Sequence, residues 1–279
     1  MTSAYETWIH SIAESYPCID INIIGNSRKG TPIYALSIGI GPISYMYNAS
    51  HHANEWITTL ILSRFAEDCA KEMQPIWESW KNGKEPGISD TWFQKSTLHM
   101  IPLVNPDGVD MVVTGQAPKT WKANAIGVDL NSNYPAGWHL AKAHKYERGY
   151  TTPGPRDYVG PHPLSEPESM AMAAFTQLKD PALTLSLHTQ GEEIYWRYRH
   201  YMPPGAADMA KRLAKASGYL LEDVPNESSH AGYRDWFIET FNRPGYTIEC
   251  GLGESPLPLS DFDDIYKKVE PLMKEALRY

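Results

Sequence analysis

Short β-branched runs of period two alternate along this chain with longer segments whose apolar residues recur at helical spacing. Few folds accept that order. Ile19, Ile21 and Ile23 fall on one side of an extended run over 19–24, as a half-buried strand requires. Further runs of strand character cover 32–38, 43–48, 97–103, 182–187, 194–198 and 246–249. Between them lie helical patterns at 5–14, at 55–73 with Ile57, Leu60, Ile61, Phe65 and Ala66 on one face, and at 206–216, 233–240 and 261–277. Ser165-Glu166-Pro167-Glu168 reads as a helix start, with Ser165 as N-cap and acids in the first turn. Strands alternating with helices, with no repeat and no long linker, predict one α/β domain over residues 1–279. Its sheet is largely parallel or mixed, with helices on both faces. The polar stretch 83–90 reads as a loop, 105–134 as turns with short apolar pieces, and 137–163, rich in Gly, Pro, Tyr and His, as a long surface excursion. Such excursions often line substrate clefts.

The chain has 279 residues, ample for a sizeable core. Lys and Arg total 25 against 33 Asp and Glu, a formal charge of -8. That balance argues against nucleic acid and anionic membrane, both of which need a basic footprint. No apolar run approaches the roughly 18 residues of a membrane span. The first residues carry neither a basic region nor an apolar one of secretory type, so the expectation is a cytoplasmic protein or one whose leader has been removed. The oligomeric state is not readable. Cys18, Cys69 and Cys250 form neither a disulfide framework nor a metal motif and read as buried free thiols.

The chemistry concentrates where the strand at 43–48 gives way to the helix that follows. His52 and Glu55 stand three residues apart there, a spacing at which a turn entering a helix can aim both at one point. An imidazole and a carboxylate are good zinc ligands, and a catalytic site wants a third ligand and an open fourth position. His188, at the end of the strand 182–187, is the natural third, on the sheet edge where α/β proteins place their sites. His51 is an alternative to His52, but it lacks the three-residue step to Glu55. Glu249 ends another β-branched strand. A buried carboxylate there is costly without a task, and beside a zinc ion that task is general base.

Taken in order, the segments Gly25-Asn26-Ser27 and Gly30-Thr31-Pro32, His52 to Thr58, Asn105-Pro106-Asp107-Gly108, Gly127-Val128-Asp129-Leu130-Asn131, Leu187-His188 and Thr247-Ile248-Glu249 resemble the zinc carboxypeptidase family over nearly the whole chain. The resemblance implies a three-layer α/β/α sandwich around a twisted, mixed eight-stranded sheet. It also implies one zinc ion held by His52, Glu55 and His188, with Glu249 as the catalytic acid. The chain departs from the exopeptidase pattern. Ser132 follows Asn131 where those members carry a carboxylate-binding arginine, and Asn54 precedes the ligand glutamate. The oxyanion-stabilising arginine is replaced by Lys122, which supplies charge without a bidentate fork. The family's phenolic position falls at Glu227, with Tyr233 the candidate substitute.

The stretch from Trp121 to Asn124, together with Arg156-Asp157-Tyr158, Ser165 to Glu168, His188 to Trp196 and Asp235 to Ile238, is more narrowly similar to bacterial γ-D-glutamyl-diamino acid endopeptidases. Those enzymes cut the γ-D-glutamyl bond to meso-diaminopimelate or lysine in peptidoglycan stem peptides. Many carry LysM wall-binding repeats, and none is read here. The resemblance therefore implies a peptidoglycan peptide as partner and metal-assisted amide hydrolysis as reaction, with Asn131, Ser132 and Tyr233 near the substrate. Such a substrate carries several carboxylates. Candidate cations to meet them are Arg156, Arg197, Arg199 and Arg234, with Glu192 and Glu193 for a substrate ammonium. Three competing readings remain at this level: a conventional carboxypeptidase, an amidohydrolase of small N-acyl amino acids, and an inactive module binding wall peptides.

Overall fold

Eight strands pair into one sheet in the order β1-β2-β4-β3-β5-β8-β6-β7. The computed structural model describes residues 2–83, 91–224 and 229–279. The expected polar loop at 83–90 lies outside them from residue 84 onward. The strands are β1 (Ile19–Asn26), β2 (Pro32–Gly39), β3 (Ile43–Ala49), β4 (Ser96–Ile101), β5 (Leu183–His188), β6 (Glu193–Tyr195), β7 (Leu220–Glu222) and β8 (Gly245–Glu249). The central four, β4, β3, β5 and β8, run parallel. β1 and β2 close one edge antiparallel, and β6 turns antiparallel against β8. The sheet is therefore mixed and eight-stranded, as expected.

Helices cover both faces. α1 (Thr2–Ser15), α2 (Ile57–Lys81), α7 (Ala206–Ser217) and α9 (Phe262–Ala276) pack one side, where Ile9, Phe65, Leu213 and Val269 join Tyr47, Leu185 and Ile248 of the strands. α6 (Pro167–Lys179) and α8 (Tyr233–Phe241) pack the other, where Met172, Phe175, Trp236 and Phe237 meet Ile33, Met46 and Ile101. β5 shows why: all six residues are buried, with Leu183, Leu185 and Leu187 in the first cluster. A parallel strand covered on both faces needs such a sequence. Each fully buried Leu or Phe contributes about 1.5–3 kcal/mol. All three cysteines are buried and free. No helix among the described residues is long and apolar enough to cross a membrane.

Several local expectations are corrected. β1 is an edge strand with an irregularity between Ile23 and Gly25, so Ile19 is buried while Ile23 stands exposed. α2 starts at Ile57 after a single 3-10 turn (Ala53–Glu55) and runs on through Pro75 to Lys81. Glu166, not Ser165, is the N-cap residue of α6, because Pro167 takes the first helical position. The segment 105–134 hides the helix α4 (Pro106–Val113), whose N-cap Asn105 accepts the Gly108 amide at 3.1 Å. The stretch 137–163 is no mere surface excursion. It carries the helix α5 (Trp138–Glu147), and Trp138, Ala141 and Val159 bury against Ala231. Three-residue strands such as β7 are too short for a period to show. A further element, α3 (Trp92–Lys95), is one turn leading into β4.

Candidate active site

From β3 the chain moves to β4 on one side, and from β4 it crosses to β5 on the other side of β3. Open α/β sheets bind ligands at such a switch, outside the C-terminal strand ends. β3 ends at Ala49, β5 at His188 and β8 at Glu249, and His188 lies in register with Glu249. The turn after β3 is tightly held. Ser50 adopts a φ of 53°, and its amide and hydroxyl bond the Thr58 hydroxyl at 3.1 and 2.9 Å, which pins the start of α2. The Asn105 amide nitrogen donates to the carbonyls of His51 and Ala123, both at 3.1 Å. The Ala53 amide donates to the Lys122 carbonyl at 2.9 Å. The motif at 105–108 thus props the ligand loop from below.

Three side chains converge above this frame. His52 Nδ1 lies 2.9 Å from Glu55 Oε1, His188 Nδ1 lies 2.9 Å from Glu55 Oε2, and the two Nδ1 atoms are 3.3 Å apart. Their ligand atoms all fall within 4.8 Å of one another. Two imidazoles and a carboxylate so placed can hold a divalent metal ion, and the donor set fits zinc. Asp129 secures the arrangement: its Oδ1 faces His52 Nε2 at 3.2 Å, and its Oδ2 accepts the Asp157 amide at 3.2 Å. A carboxylate on the far nitrogen fixes the tautomer and orientation of a ligand histidine. Lys122 Nζ reaches Glu55 Oε1 at 3.1 Å.

The electrostatics follow from packing these charges out of water. Burial pushes His52 down, but Glu55 and Asp129 more than reverse this and raise it to about 9. Burial also disfavours the charged form of Glu55, yet His52, Lys122 and His188 hold it well below the usual carboxylate range. His188 is lowered by burial, with Glu55 opposing. His51, buried behind the site with its Nε2 2.9 Å from the Tyr134 hydroxyl, is lowered further by burial and by both neighbouring imidazoles. Glu249 is pushed up to about 8 by burial and by the Glu55 charge, against Lys122 and His52. Two carboxylates in one site thus differ widely in acidity, an arrangement suited to acid–base work.

The structure brings together His52, Glu55, His188, Lys122 and Glu249. Tyr233 is corrected: it is fully buried, and its hydroxyl meets Thr176 at 2.9 Å and the Met46 sulfur at 3.3 Å, pointing into the core rather than the cleft. Asn131 is half-buried and accepts the Tyr233 amide at 3.0 Å, while Ser132 is buried in the 3-10 turn Leu130–Ser132. Arg156 is half-exposed and bonds Asp157 at 2.6 Å, and the buried Lys145 bonds the same carboxylate. Arg197 pairs with Asp223, and Arg234 with Asp235. Glu192 pairs with Lys268 at 2.5 Å, and Glu193 accepts the Tyr195 hydroxyl at 2.6 Å. Glu227 lies outside the described residues. Sequence reasoning gave Asp129 no role of its own. The available signal was chemical: a ligand histidine calls for a carboxylate on its other nitrogen.

A family model described as zinc carboxypeptidase matches residues 5–269. The γ-D-glutamyl-L-diamino acid endopeptidase 1 of Lysinibacillus sphaericus is 40% identical over 278 residues, covering 93% of this chain and 67% of its own length. Bovine thrombin-activatable fibrinolysis inhibitor superposes with a TM-score of 0.77 at 18% identity, over 99% of this chain and 95% of its own. The murein-tripeptide amidase MpaA of Escherichia coli gives a TM-score of 0.58 at 21% identity, over 93% of this chain and 92% of its own.

Proposed function

The chain belongs to the zinc carboxypeptidase family and is a zinc-dependent peptidase, and from that premise we propose that it hydrolyses the γ-D-glutamyl amide to a diamino acid in peptidoglycan peptides. The observation that carries the chemistry is the convergence of His52, Glu55 and His188 beside Glu249. The substrate follows from the endopeptidase relative, 40% identical along 93% of the chain. His52, Glu55 and His188 would hold one zinc ion, oriented by Asp129. Such an ion, when bound, supplies Lewis acidity that polarises a carbonyl and acidifies water.

The protein's own groups do the rest. Burial first, and then the Glu55 charge, raise Glu249 toward neutral pH, which suits its carboxyl to moving a proton. It takes one from the attacking water and delivers it to the leaving nitrogen, and a group titrating near neutral pH does both well. Lys122, raised despite burial by Glu55 and Glu249, stays charged beside Glu55 and would stabilise the oxygen that becomes anionic. Ser132 is buried where an exopeptidase of the family needs an arginine for the substrate's terminal carboxylate. This favours cleavage within a peptide over removal of an ordinary C-terminal residue.

The experiment is hydrolysis of defined muropeptides with products read by mass, on the parent protein and on Glu249→Gln. The parent should release the diamino acid portion. The variant should keep its zinc and lose ~10²–10⁴ in kcat. A variant that binds zinc and turns over normally removes Glu249 from the reaction. A parent that trims plain peptides but leaves muropeptides intact refutes the substrate.

A further inference from the structure

We propose that Glu166, held by Arg28, is a positioning residue for Lys122: acting through Asn124, it fixes the turn that follows Lys122 and so the place from which that side chain reaches into the site. This rests on the role given to Lys122 in the function proposed above and deepens it. The clamp joins two stretches of the sequence that the reaction leaves unused, Ser165 to Glu168 and the turn that ends in Gly30-Thr31.

Glu166 is the N-cap residue of α6 and is 1% exposed. A buried carboxylate is costly unless its oxygens find donors, and these do. Its Oε2 accepts Arg28 Nη2 at 3.0 Å and Asn124 Nδ2 at 2.8 Å, and its Oε1 accepts the Ser165 hydroxyl at 2.9 Å. Arg28 reaches it from the turn 27–31 between β1 and β2. That turn is itself held from two helices. The Arg28 amide donates to Glu168 Oε1 on α6 at 2.9 Å, and the Lys29 amide donates to Asp107 Oδ2 on α4 at 2.9 Å. The guanidinium is therefore presented to Glu166 from a fixed base, as a charge-assisted bond with a set direction requires.

Asn124 passes the constraint on. It is fully buried, and with Nδ2 committed to Glu166 its Oδ1 must face the opposite way. There it accepts the amides of Ile126 and Val128 at 3.2 and 3.0 Å. The backbone closes the same turn, the Asn124 amide donating to the Val128 carbonyl at 2.8 Å. A flipped Asn124 would set its oxygen against the carboxylate and its amino group against two N–H donors. The charge on Glu166 thus decides which end of the amide meets the turn. Lys122 stands two residues before Asn124. The amides of Lys122 and Ala123 share the Pro155 carbonyl at 2.7 and 3.0 Å, and Lys122 Nζ lies 3.1 Å from Glu55 Oε1. A lysine's long stem carries any shift of its base to the ammonium, and a misplacement of about 1 Å can cost on the order of 10² in rate.

The test is a double-mutant cycle on muropeptide hydrolysis by the zinc-loaded protein, with folding checked by circular dichroism. Glu166→Ala should lower kcat about tenfold or more and change KM less than threefold. Glu166→Gln, which still offers one oxygen to Asn124, should restore most of the rate. In a Lys122→Met background Glu166→Ala should cost less than about threefold, because the group it positions is gone. A loss undiminished in that background, a loss carried by KM, or no loss at all overturns the proposal. Should Glu166→Ala fail to fold, Arg28→Met at the exposed end of the clamp takes its place in the cycle, with a loss of about threefold or more expected and the same outcomes overturning it. If the parent leaves muropeptides intact, the function proposed above fails on its own. The clamp is then read from the rate at which Lys122 is reductively methylated, followed by peptide mass. A rate raised about threefold or more in Glu166→Ala and returned in Glu166→Gln upholds it, and an unchanged rate overturns it.

Discussion

Adding zinc to the metal-free protein should expel protons, and the site fixes how many. His52 lies between Glu55 and Asp129 and titrates at about 9. At pH 7.5 such a group is protonated in roughly 97% of molecules, and it must lose that proton to become a ligand. Glu55 is already ionised, and His188, lowered by burial, is already neutral. Glu249, at about 8, is protonated in roughly three quarters of molecules at pH 7.5, and a nearby divalent cation drives that proton off. Release should therefore fall between one and two protons per zinc. Because protons compete with the metal, apparent affinity should rise with pH, about tenfold (about 1.4 kcal/mol) per unit from His52 alone up to its pKa near 9. Calorimetric titrations in buffers of different ionisation enthalpy count the protons, and a competing chelator at pH 6.5, 7.5 and 8.5 gives the slope. Asp129→Asn should weaken both effects by removing one of the two carboxylates that hold His52 protonated. Release below half a proton, with affinity flat in pH, would refute the geometry.

Lys122→Met should lower kcat by ~10²–10³ at saturating zinc, with partial recovery in Lys122→Arg; a loss seen only as reduced metal content assigns Lys122 to the metal instead. His99, 5% exposed and 2.7 Å from the Ser37 hydroxyl, is lowered by burial, with Lys179 adding, to about 4. The unfolded chain takes up this proton below about 6.5 and the folded chain only near 4, so stability should fall between those values by up to about 3 kcal/mol. In His99→Asn, chemical denaturation across that range should show a shallower fall. Tyr47→Phe removes the 2.8 Å bond to the Met273 carbonyl that joins β3 to α9. It should cost about 1–3 kcal/mol, visible as a lower Tm.

The groups of the candidate site were legible because each ends a strand or follows one. His188 and Glu249 close period-two runs, and His52 and Glu55 sit where one period gives way to another. The polar props were harder to read, since Asp129 and Asn105 act through loops with no period. Part of that signal was present all the same: Asn105, Pro106 and Asp107 form an N-cap, a first-turn proline and a first-turn acid, which start α4. Tyr233 was misjudged against evidence in its own helix. Trp236 and Phe237 follow it at three and four residues, the stripe of a core-facing side. The stretch 137–163 misled by composition, because its glycines and tyrosines conceal an interior ion pair between Lys145 and Asp157.

That ion pair has reach. The Asp157 amide donates to Asp129, and Asp129 faces His52, so a lysine on α5 is wired by three contacts to a candidate metal ligand. Sequence drift in this lobe is therefore not free to reshape the cleft at will. A substitution that breaks the lysine–aspartate anchor should also loosen the hold of Asp129 on His52.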